Sequence, residues 1–307
     1  MAAVWVTVLD GELIDPGDAR YPALLAAITS PPALYVRGTL TEEDALAIAI
    51  VGSRHASAYG LEVAERLAFD LATRGVTIVS GLARGIDTAS HRGALAAGGR
   101  TLAVLGSGLD VVYPPENRRL MEEIPCRGAV ISQFVPGTPP VAYNFPARNR
   151  IIAGLALGVV VVEAAERSGA LITAGFAGDL GREVFAVPGR ITSETSRGAN
   201  GLIQDGAKLI QGWADIVQEL PNRWRCVMRS PATIERGADE PIADTDEGRV
   251  LTTLRTDDAR TIEAIIADAA LPAGRVAAAL LGLELSGWAR QFEGQRWVRV
   301  VSRPESA

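Results

Sequence analysis

The hydrophobic pattern of this chain is built around an unbroken apolar run, Ala47–Val51, that ends at Gly52. A run of this kind predicts a strand that is buried on both faces, as in parallel sheets. Apolar residues then recur at helical spacing over residues 61–72, and Gly75 precedes a second apolar run at residues 76–79. This succession predicts a βαβ unit whose loop begins a helix, where backbone N–H groups favour an anion. A plain α/β turn produces the same local pattern.

The alternation of strand and helix continues along the chain. The next apolar runs predict strands at residues 101–105, 128–131, 158–162 and 183–187. Glycine-punctuated loops follow the second and third strands, at residues 80–87 and 106–110. Because neighbouring parallel strands end at the same edge of a sheet, three such loops line one crevice, where open α/β sheets bind their ligands. The sequence therefore predicts a parallel α/β fold with an anionic ligand in this crevice.

A long loop rich in proline and glycine, within residues 133–147, leads to Phe145, Arg148 and Arg150. An aromatic ring beside two guanidiniums at the start of a helix suits a base stacked on the ring, with its phosphates held by arginine. A core phenylalanine with two solvated arginines explains the same residues equally well.

Hydroxyl and glycine residues begin the helix that follows the most apolar strand, at Ser168, Gly169 and Thr173. Such a set is common in phosphate cradles and equally common in helix N-caps. Both interpretations are open on the sequence alone.

Charge is distributed unevenly along the chain. The 30 basic and 36 acidic residues give a net charge of −6, yet residues 45–215 contain 16 basic and 15 acidic residues. Residues 1–44 have a net charge of −5 and residues 216–307 a net charge of −2, so an anion site is expected in the middle. Lys208 is the only lysine, against 29 arginines. Phosphate contacts would therefore be made mostly by planar guanidinium groups, although a coding bias towards arginine gives the same composition.

Several classes of protein do not fit the composition. Cys126 and Cys226 are far apart, and these cysteines and the two histidines lack the spacing of a metal site. No apolar run reaches about 18 residues, and no basic leader precedes an apolar segment. We therefore expect a soluble, cytoplasmic protein without a metal, a cofactor or a membrane partner.

Composition also divides the chain into segments. The expected segments are a short lead-in at residues 1–44, the α/β domain at 45–225, an acidic linker at 226–245 and a small domain at 246–302. Prolines and an apolar run in the lead-in predict a turn followed by an edge strand within residues 33–38.

Three short helical patterns and two alternating strands about a glycine turn predict a winged-helix arrangement for the last segment. Such modules often bind duplex DNA. The third helix, however, has only Arg275 and Glu284 among alanine and leucine. We therefore favour protein contact or packing over duplex recognition for this segment.

Taken together, these motifs resemble the DprA/Smf family of bacterial DNA-processing proteins, over about residues 21–210 and more loosely over the last fifty or so. The resemblance is carried by Ile50-Val51-Gly52-Ser53-Arg54, Ser80-Gly81-Leu82-Ala83-Arg84-Gly85-Ile86-Asp87 with His91, Gly108-Leu109-Asp110 with Tyr113-Pro114, Phe145-Pro146 with Arg148-Asn149-Arg150, Val162-Glu163-Ala164 with Ser168-Gly169, and Pro188-Gly189. It implies an extended Rossmann-like domain that binds single-stranded DNA, forms a homodimer and helps to load the RecA recombinase in natural transformation. It implies a binding protein rather than an enzyme.

The resemblance also implies roles for individual residues. Gly52, Ser53 and Arg54 are similar to the family's main phosphate-binding loop, and Phe145 is similar to its base-stacking ring. The full set of expected DNA contacts is Gly52, Ser53, Arg54, His55, Gly81, Arg84, Gly85, Gly106, Phe145, Arg148, Asn149, Arg150, Ser168, Gly169, Thr173 and Lys208.

The chain departs from the family pattern in three places. Many members carry a lysine where this chain has Ala142, and Ser132-Gln133 stands where Ser-Glu is common. The lead-in is also shorter than the helical N-terminal module of many relatives, so we expect that module to be reduced or lost.

Two other functions compete with this interpretation. One is a nucleotide or sugar-phosphate hydrolase of a related Rossmann-like group, which would use Glu163 with Arg148 or Arg150. Those enzymes share a loop that is absent from this sequence, Pro-Gly-Gly-x-Gly-Thr-x-x-Glu. The other is a regulator that binds duplex DNA through the winged helix.

The crevice holds further titratable candidates. Asp87, Asp110 and Glu163 could form a carboxylate set at its mouth, but Asp87 is equally well placed to cap a helix or to hold an arginine. His91 has no identifiable nucleophile beside it, so we interpret it as a packed structural residue.

Overall fold

The structure of the protein is a computed structural model. It describes residues 11–229, 244–255, 260–286, 288–292 and 296–299. The described residues form two compact units, which divide at residue 230.

The first unit is an α/β domain. Its described strands are β1 (Glu12–Ile14), β2 (Leu34–Gly38), β3 (Ala47–Val51), β4 (Thr77–Ser80), β5 (Thr101–Val104), β6 (Ala129–Ser132), β7 (Gly158–Val161), β8 (Glu183–Ala186) and β9 (Lys208–Leu209). Its described helices are α1 (Ala23–Ala26), α2 (Ala58–Thr73), α3 (Ile86–Ala96), α4 (Arg118–Glu123), α5 (Asn144–Leu155), α6 (Gly169–Asp179), α7 (Glu194–Gln204), α8 (Trp213–Glu219) and α9 (Asn222–Arg225).

These strands form one sheet in the order β1-β2-β6-β5-β4-β3-β7-β8-β9. The seven strands from β6 to β9 are parallel, whereas β1 and β2 are antiparallel additions at one edge. The lead-in therefore belongs to the sheet. The prediction that its strand lies at the edge is wrong, because β1 pairs along the outer side of β2.

The central parallel strand, β3, is covered on both faces, as its apolar run predicts. Ala47, Ala49 and Val51 pack into the core shared with α5 and α6. Ile48 and Ile50 alternate with them and pack into the core shared with α2. This period of two places every side chain of β3 in a hydrophobic core, which confirms the strand and its burial.

The order of the strands creates a switch point beside β3. Strands β4, β5 and β6 extend the sheet on one side of β3, and β7 then pairs on its other side. In open α/β sheets, ligands bind outside the carboxyl ends of the strands at such a point. The loops after β3, β4, β5 and β7 meet here, and α5 begins beside them.

The second unit contains the described helices α10 (Asp246–Thr253), α11 (Ile262–Ala269) and α12 (Ala273–Leu285) and the described strands β10 (Arg260–Thr261), β11 (Ala289–Phe292) and β12 (Arg296–Arg299). The strands form an antiparallel sheet in the order β10-β12-β11. Val250, Ile265, Leu280 and Trp297 are among the residues of its core. Three helices and a small sheet are the arrangement that the sequence predicts for this segment.

Candidate nucleic-acid interface

The loop after β3 presents one free cation to the crevice. Gly52 lets the loop pack closely against the start of α3, because a Cβ at this position would lie 2.6 Å from Cγ1 of Ile86. The backbone N–H of Ser53 donates to the Glu163 carbonyl over 2.7 Å, which fixes the start of the loop. Arg54 follows and is exposed, and its guanidinium has no acidic partner among the described residues. The Arg54 charge is therefore available to a ligand.

The anion at the N-terminus of α2 belongs to the protein itself. The Glu163 carboxylate accepts hydrogen bonds from the Ser57 backbone N–H over 2.9 Å and from the Ser57 hydroxyl over 2.5 Å. Gly60 leaves room for it, since a Cβ there would lie 2.6 Å from Glu163 Oε2. Glu163 therefore satisfies the Ser57 N–H and hydroxyl at this helix end, and the prediction of an anion in the loop stays a prediction for the residues that precede Ser57.

The loop after β4 packs closely against the loop after β3. Gly85 has a φ of +76°, and a Cβ there would lie 2.2 Å from the Ser53 carbonyl oxygen. Only glycine combines a positive φ with the absence of a Cβ at this close contact. Arg84, on the same loop, is exposed and paired with Glu116 over 2.5 Å. Its charge is therefore already partly neutralised within the protein.

Arg148 lies beneath the crevice floor and is only 4 % exposed. It donates from Nη1 to the Val104 carbonyl over 3.2 Å and packs where a Cβ on Gly81 would lie, so that loop requires glycine. Burial lowers the pKa of Arg148 to about 10, and the Asp87 carboxylate opposes this shift. At neutral pH the guanidinium is charged, and it contributes positive potential from below rather than an exposed contact.

Asp87 is the acidic counterpart of this buried cation. Its Oδ2 accepts hydrogen bonds from the backbone N–H groups of Gly81 and Ala83, each over 3.2 Å. Burial raises the pKa of Asp87, whereas the charge of Arg148 and these N–H groups oppose the shift. Asp87 therefore holds the loop after β4 and compensates Arg148, in agreement with the cap or arginine-holding role left open above.

An aromatic ring forms one wall of the crevice. Phe145 is partly exposed at the start of α5. Its ring centroid lies 5.0 Å from Cζ of Arg54 and 5.8 Å from Cζ of Arg148. Gly106 makes space for the ring, because a Cβ there would lie 2.8 Å from Cδ1 of Phe145. A second ring, that of Tyr113, lies 5.8 Å from Phe145 between centroids, tilted by 43°.

The polar residues around the start of α6 serve the protein's own backbone. Ser168 is the N-cap of α6, and its hydroxyl accepts from the Ala170 N–H over 3.2 Å. Asn149 donates to the Gly169 carbonyl over 3.1 Å, and the Thr173 hydroxyl donates to the same oxygen over 3.5 Å. Ser168 is therefore a helix N-cap, which is one of the two interpretations left open by the sequence. Gly169, beside it, is exposed.

Two expected contact residues do not join this group. Arg150 donates to the Thr29 carbonyl, in the segment between α1 and β2. Lys208 lies on β9, at the sheet edge three strands from β3, and pairs with Glu219 over 2.7 Å. The crevice thus unites Gly52, Ser53, Arg54, His55, Gly81, Arg84, Gly85, Gly106, Phe145 and Arg148, and it leaves Arg150 and Lys208 on other surfaces.

The three carboxylates considered for catalysis are all engaged with backbone N–H groups. Asp87 and Glu163 hold the loops described above, and Asp110 accepts from the Gly137 N–H over 2.8 Å. Each acid therefore fixes a loop. Among the residues that the structure describes, no group of three or more His, Cys, Asp or Glu is arranged to hold a metal ion.

His91 is completely buried on α3. Its Nδ1 lies 2.7 Å from the Thr101 hydroxyl oxygen. Because that hydroxyl donates to the Ile78 carbonyl, Nδ1 carries the proton and is the donor. Burial lowers the pKa of His91 to about 3, and the charge of Arg148 acts in the same direction. The neutral ring is a packed structural residue, as interpreted from the sequence.

A pH-dependent loss of stability follows from this burial. An unfolded histidine has a pKa of about 6.5, so below that pH the unfolded chain takes up a proton that the folded chain does not. The neutral, buried His91 makes its full contribution to the free energy of unfolding above pH about 6.5. As the pH is lowered from there towards about 3, the free energy of unfolding falls by up to about 1.4 kcal/mol per pH unit. Urea titrations at about pH 7.5 and about pH 5 measure this loss. We expect a smaller loss for His91→Leu than for the wild type, and equal losses for the two proteins would contradict the assignment.

Within the described residues, no single helix is long and apolar enough to cross a membrane; the bent pair Ile262–Ala269 and Ala273–Glu284 passes the same test by length and composition only.

Comparisons with known proteins agree with the fold. The family model described as DNA recombination-mediator protein A matches residues 12–221, and the model described as DprA winged helix domain matches residues 235–295. The second match confirms the predicted winged helix. Protein Smf of Escherichia coli (strain K12) is 40% identical over 293 residues, which cover 94% of this chain and 78% of that protein.

Two solved structures are also similar. The X-ray structure of DNA processing protein A from Streptococcus pneumoniae has a TM-score of 0.66 and 44% identity, over 69% of this chain and 75% of that one. A structure describing the single-stranded DNA binding mode of DNA processing protein A from Helicobacter pylori has a TM-score of 0.61 and 28% identity. It covers 68% of this chain and 94% of that chain.

Proposed function

Since this chain belongs to the DNA recombination-mediator protein A family, we propose that it binds single-stranded DNA in the crevice beside β3. One observation carries the proposal: the exposed and unpaired guanidinium of Arg54 lies 5.0 Å from the partly exposed ring of Phe145. A cation for the phosphate and a flat ring for the base are the two elements of single-strand recognition. Duplex DNA keeps its bases stacked on each other and cannot use the ring in this way.

The surrounding residues support this use of the crevice. Arg148 adds positive potential from below, and Asp87 offsets part of it. Gly52, Gly81, Gly85 and Gly106 keep the loops close together, as their surroundings leave no space for a Cβ. In this proposal Arg54, Ser53 and His55 contact phosphate, and Phe145 contacts a base.

The remaining expected contacts have smaller roles in the proposal. Asn149, Ser168 and Thr173 shape the start of α6, where Gly169 is open to solvent. Arg84 reaches a phosphate only by leaving Glu116. Arg150 and Lys208 serve contacts within the protein, and a strand that reached them would have to extend beyond the crevice.

We further propose that the bound strand is handed to the RecA recombinase, and that the protein protects incoming DNA in the cytoplasm during natural transformation. The family's description as a recombination mediator supports this role. A homodimer is part of the same proposal. Mass photometry over a range of protein concentrations tests the dimer, and the rate of RecA filament formation on DNA coated with single-strand binding protein tests the mediator role.

The proposal is one of binding rather than catalysis. The acid that a hydrolase would use, Glu163, is committed to Ser57 at the N-terminus of α2. Recognition of duplex DNA by the winged helix is also disfavoured, because Arg275 on α12 is paired with Asp246 over 2.5 Å. A base-release assay with nucleoside monophosphates tests the first alternative.

The role of Arg54 can be measured from the salt dependence of binding. Each phosphate neutralised on a single strand contributes about −0.7 to the slope of log affinity against log salt concentration. We therefore expect Arg54→Ala to weaken binding of a labelled oligothymidylate and to flatten this slope by about 0.7. The matched control is Arg119→Ala, which removes an exposed arginine paired with Glu123 on α4. An unchanged slope in Arg54→Ala would remove this residue from the site.

A further inference from the structure

The crevice contains a second aromatic ring that the expected DNA contacts do not include. Tyr113 lies in the loop after β5 and is 38 % exposed. Its ring centroid lies 5.8 Å from that of Phe145, with 43° between the ring planes. Its hydroxyl has no hydrogen-bond partner among the described residues. A tyrosine that serves the core usually buries its ring and pairs its hydroxyl, so packing alone does not explain this side chain.

The geometry of the two rings limits how they can contact DNA. A base sandwiched between two rings needs them to be parallel and separated by the thickness of the base. The tilt of 43° and the contact distance of 5.8 Å exclude that arrangement. The rings are neighbours in one aromatic wall, and neither residue is buried.

The charges on the two sides of this wall differ. Arg54, unpaired, lies on one side of Phe145. On the loop of Tyr113, the nearest charged residues in sequence are acidic: Asp110, which accepts from Gly137, and Glu116, which neutralises Arg84. A strand that crosses the wall therefore has an unpaired cation at Arg54, and the charged residues nearest to Tyr113 in sequence offer it none. The Tyr113 ring is thus suited to contact with a base rather than with a phosphate.

We propose that Tyr113 is a second base-contacting ring, so that two neighbouring bases of the single strand contact Phe145 and Tyr113, one each. This proposal rests on the proposed function. It extends the site from one stacked base to two and predicts tolerance of base sequence, since every base offers an aromatic face.

Fluorescence anisotropy with the full chain tests the proposal on two labelled probes of equal length: an oligothymidylate and a strand of abasic sites. The variants are Tyr113→Leu and Tyr113→Phe. The matched control is Tyr143→Leu, because Tyr143 is 78 % exposed and has no ring partner among the described residues. Thermal unfolding of each variant verifies folding.

We expect Tyr113→Leu to weaken oligothymidylate binding by about fivefold or more without changing the salt slope, and Tyr113→Phe to remain within about twofold of the wild type. On the abasic strand, Tyr113→Leu and the wild type should bind equally. Equal loss on both probes, or the same loss in Tyr143→Leu, would overturn the proposal. The proposal would also be overturned if Tyr113→Leu bound with wild-type affinity while Arg54→Ala and Phe145→Ala bound weakly. If those two variants also bound normally, the proposed function itself would fail.

Discussion

Replacing Asp87 by alanine should lower the free energy of unfolding by about 3–5 kcal/mol, measured by urea titration at neutral pH. Two buried features depend on this carboxylate. It accepts hydrogen bonds from the backbone N–H groups of Gly81 and Ala83, and it compensates the buried charge of Arg148. Removing it leaves a guanidinium that is 4 % exposed without a counter-charge, which is among the most costly changes in a protein interior.

A double-mutant cycle separates these contributions. Arg148→Met keeps a long apolar chain in place and removes the buried charge. The double variant Asp87→Ala with Arg148→Met should therefore be less destabilised than the two single effects added together. Asp110→Ala is the matched control, because Asp110 is exposed and holds a single loop N–H. A loss below about 1 kcal/mol in Asp87→Ala, or strict additivity in the cycle, would contradict the electrostatic coupling.

Replacing Phe145 by alanine should weaken binding of single-stranded DNA by about ten- to a hundredfold. Stacking of one base on an aromatic side chain contributes roughly 1–3 kcal/mol. The ring is partly exposed and is positioned by Gly106, so truncation removes the stacking surface with limited effect on the core. Anisotropy titration of a labelled oligothymidylate measures the change.

Two controls make the Phe145 result specific. Phe145→Tyr retains a ring and should bind within a few-fold of the wild type. Val135→Ala truncates a 59 % exposed side chain on the preceding loop and should have no effect. Wild-type affinity in Phe145→Ala would show that the base does not stack on this ring.

Much of the fold follows from local patterns. The runs predicted as parallel strands are β3 to β8, because buried strands leave a continuous apolar signal and glycine marks their ends. The winged helix follows from helical spacing and a glycine turn. That β2 is covered by a further strand could not be predicted, since a short strand such as β1 lies within polar sequence and gives little signal.

Less of the candidate site than of the fold could be predicted from the sequence. Helical geometry does indicate which arginine joins Phe145: at 3.6 residues per turn, Arg148 lies about 60° and Arg150 about 140° from it around α5. The structure agrees, because Arg148 contacts the Phe145 ring and Arg150 reaches Thr29. The burial of Arg148 depends on tertiary packing against Gly81, which no local pattern reveals.

Two other features depend on which strands are neighbours. Glu163 reaches the N-terminus of α2 only because β7 pairs with β3, and the intervening sequence contains more than a hundred residues. Lys208 lies far from the crevice because β9 is added at the end of the sheet. The Tyr113-Pro114 motif was a visible signal for Tyr113, but only the structure brings its ring to Phe145.

We propose that the crevice beside β3 binds a single strand. The most direct test of this claim is anisotropy titration of one labelled oligonucleotide, free and annealed to its complement, with the wild-type chain and with Arg54→Ala over a salt series. We predict tighter binding of the single strand by the wild type, and weaker binding with a shallower salt slope for the variant. Equal or tighter duplex binding that is insensitive to Arg54 would contradict the claim and place the DNA site elsewhere on the chain.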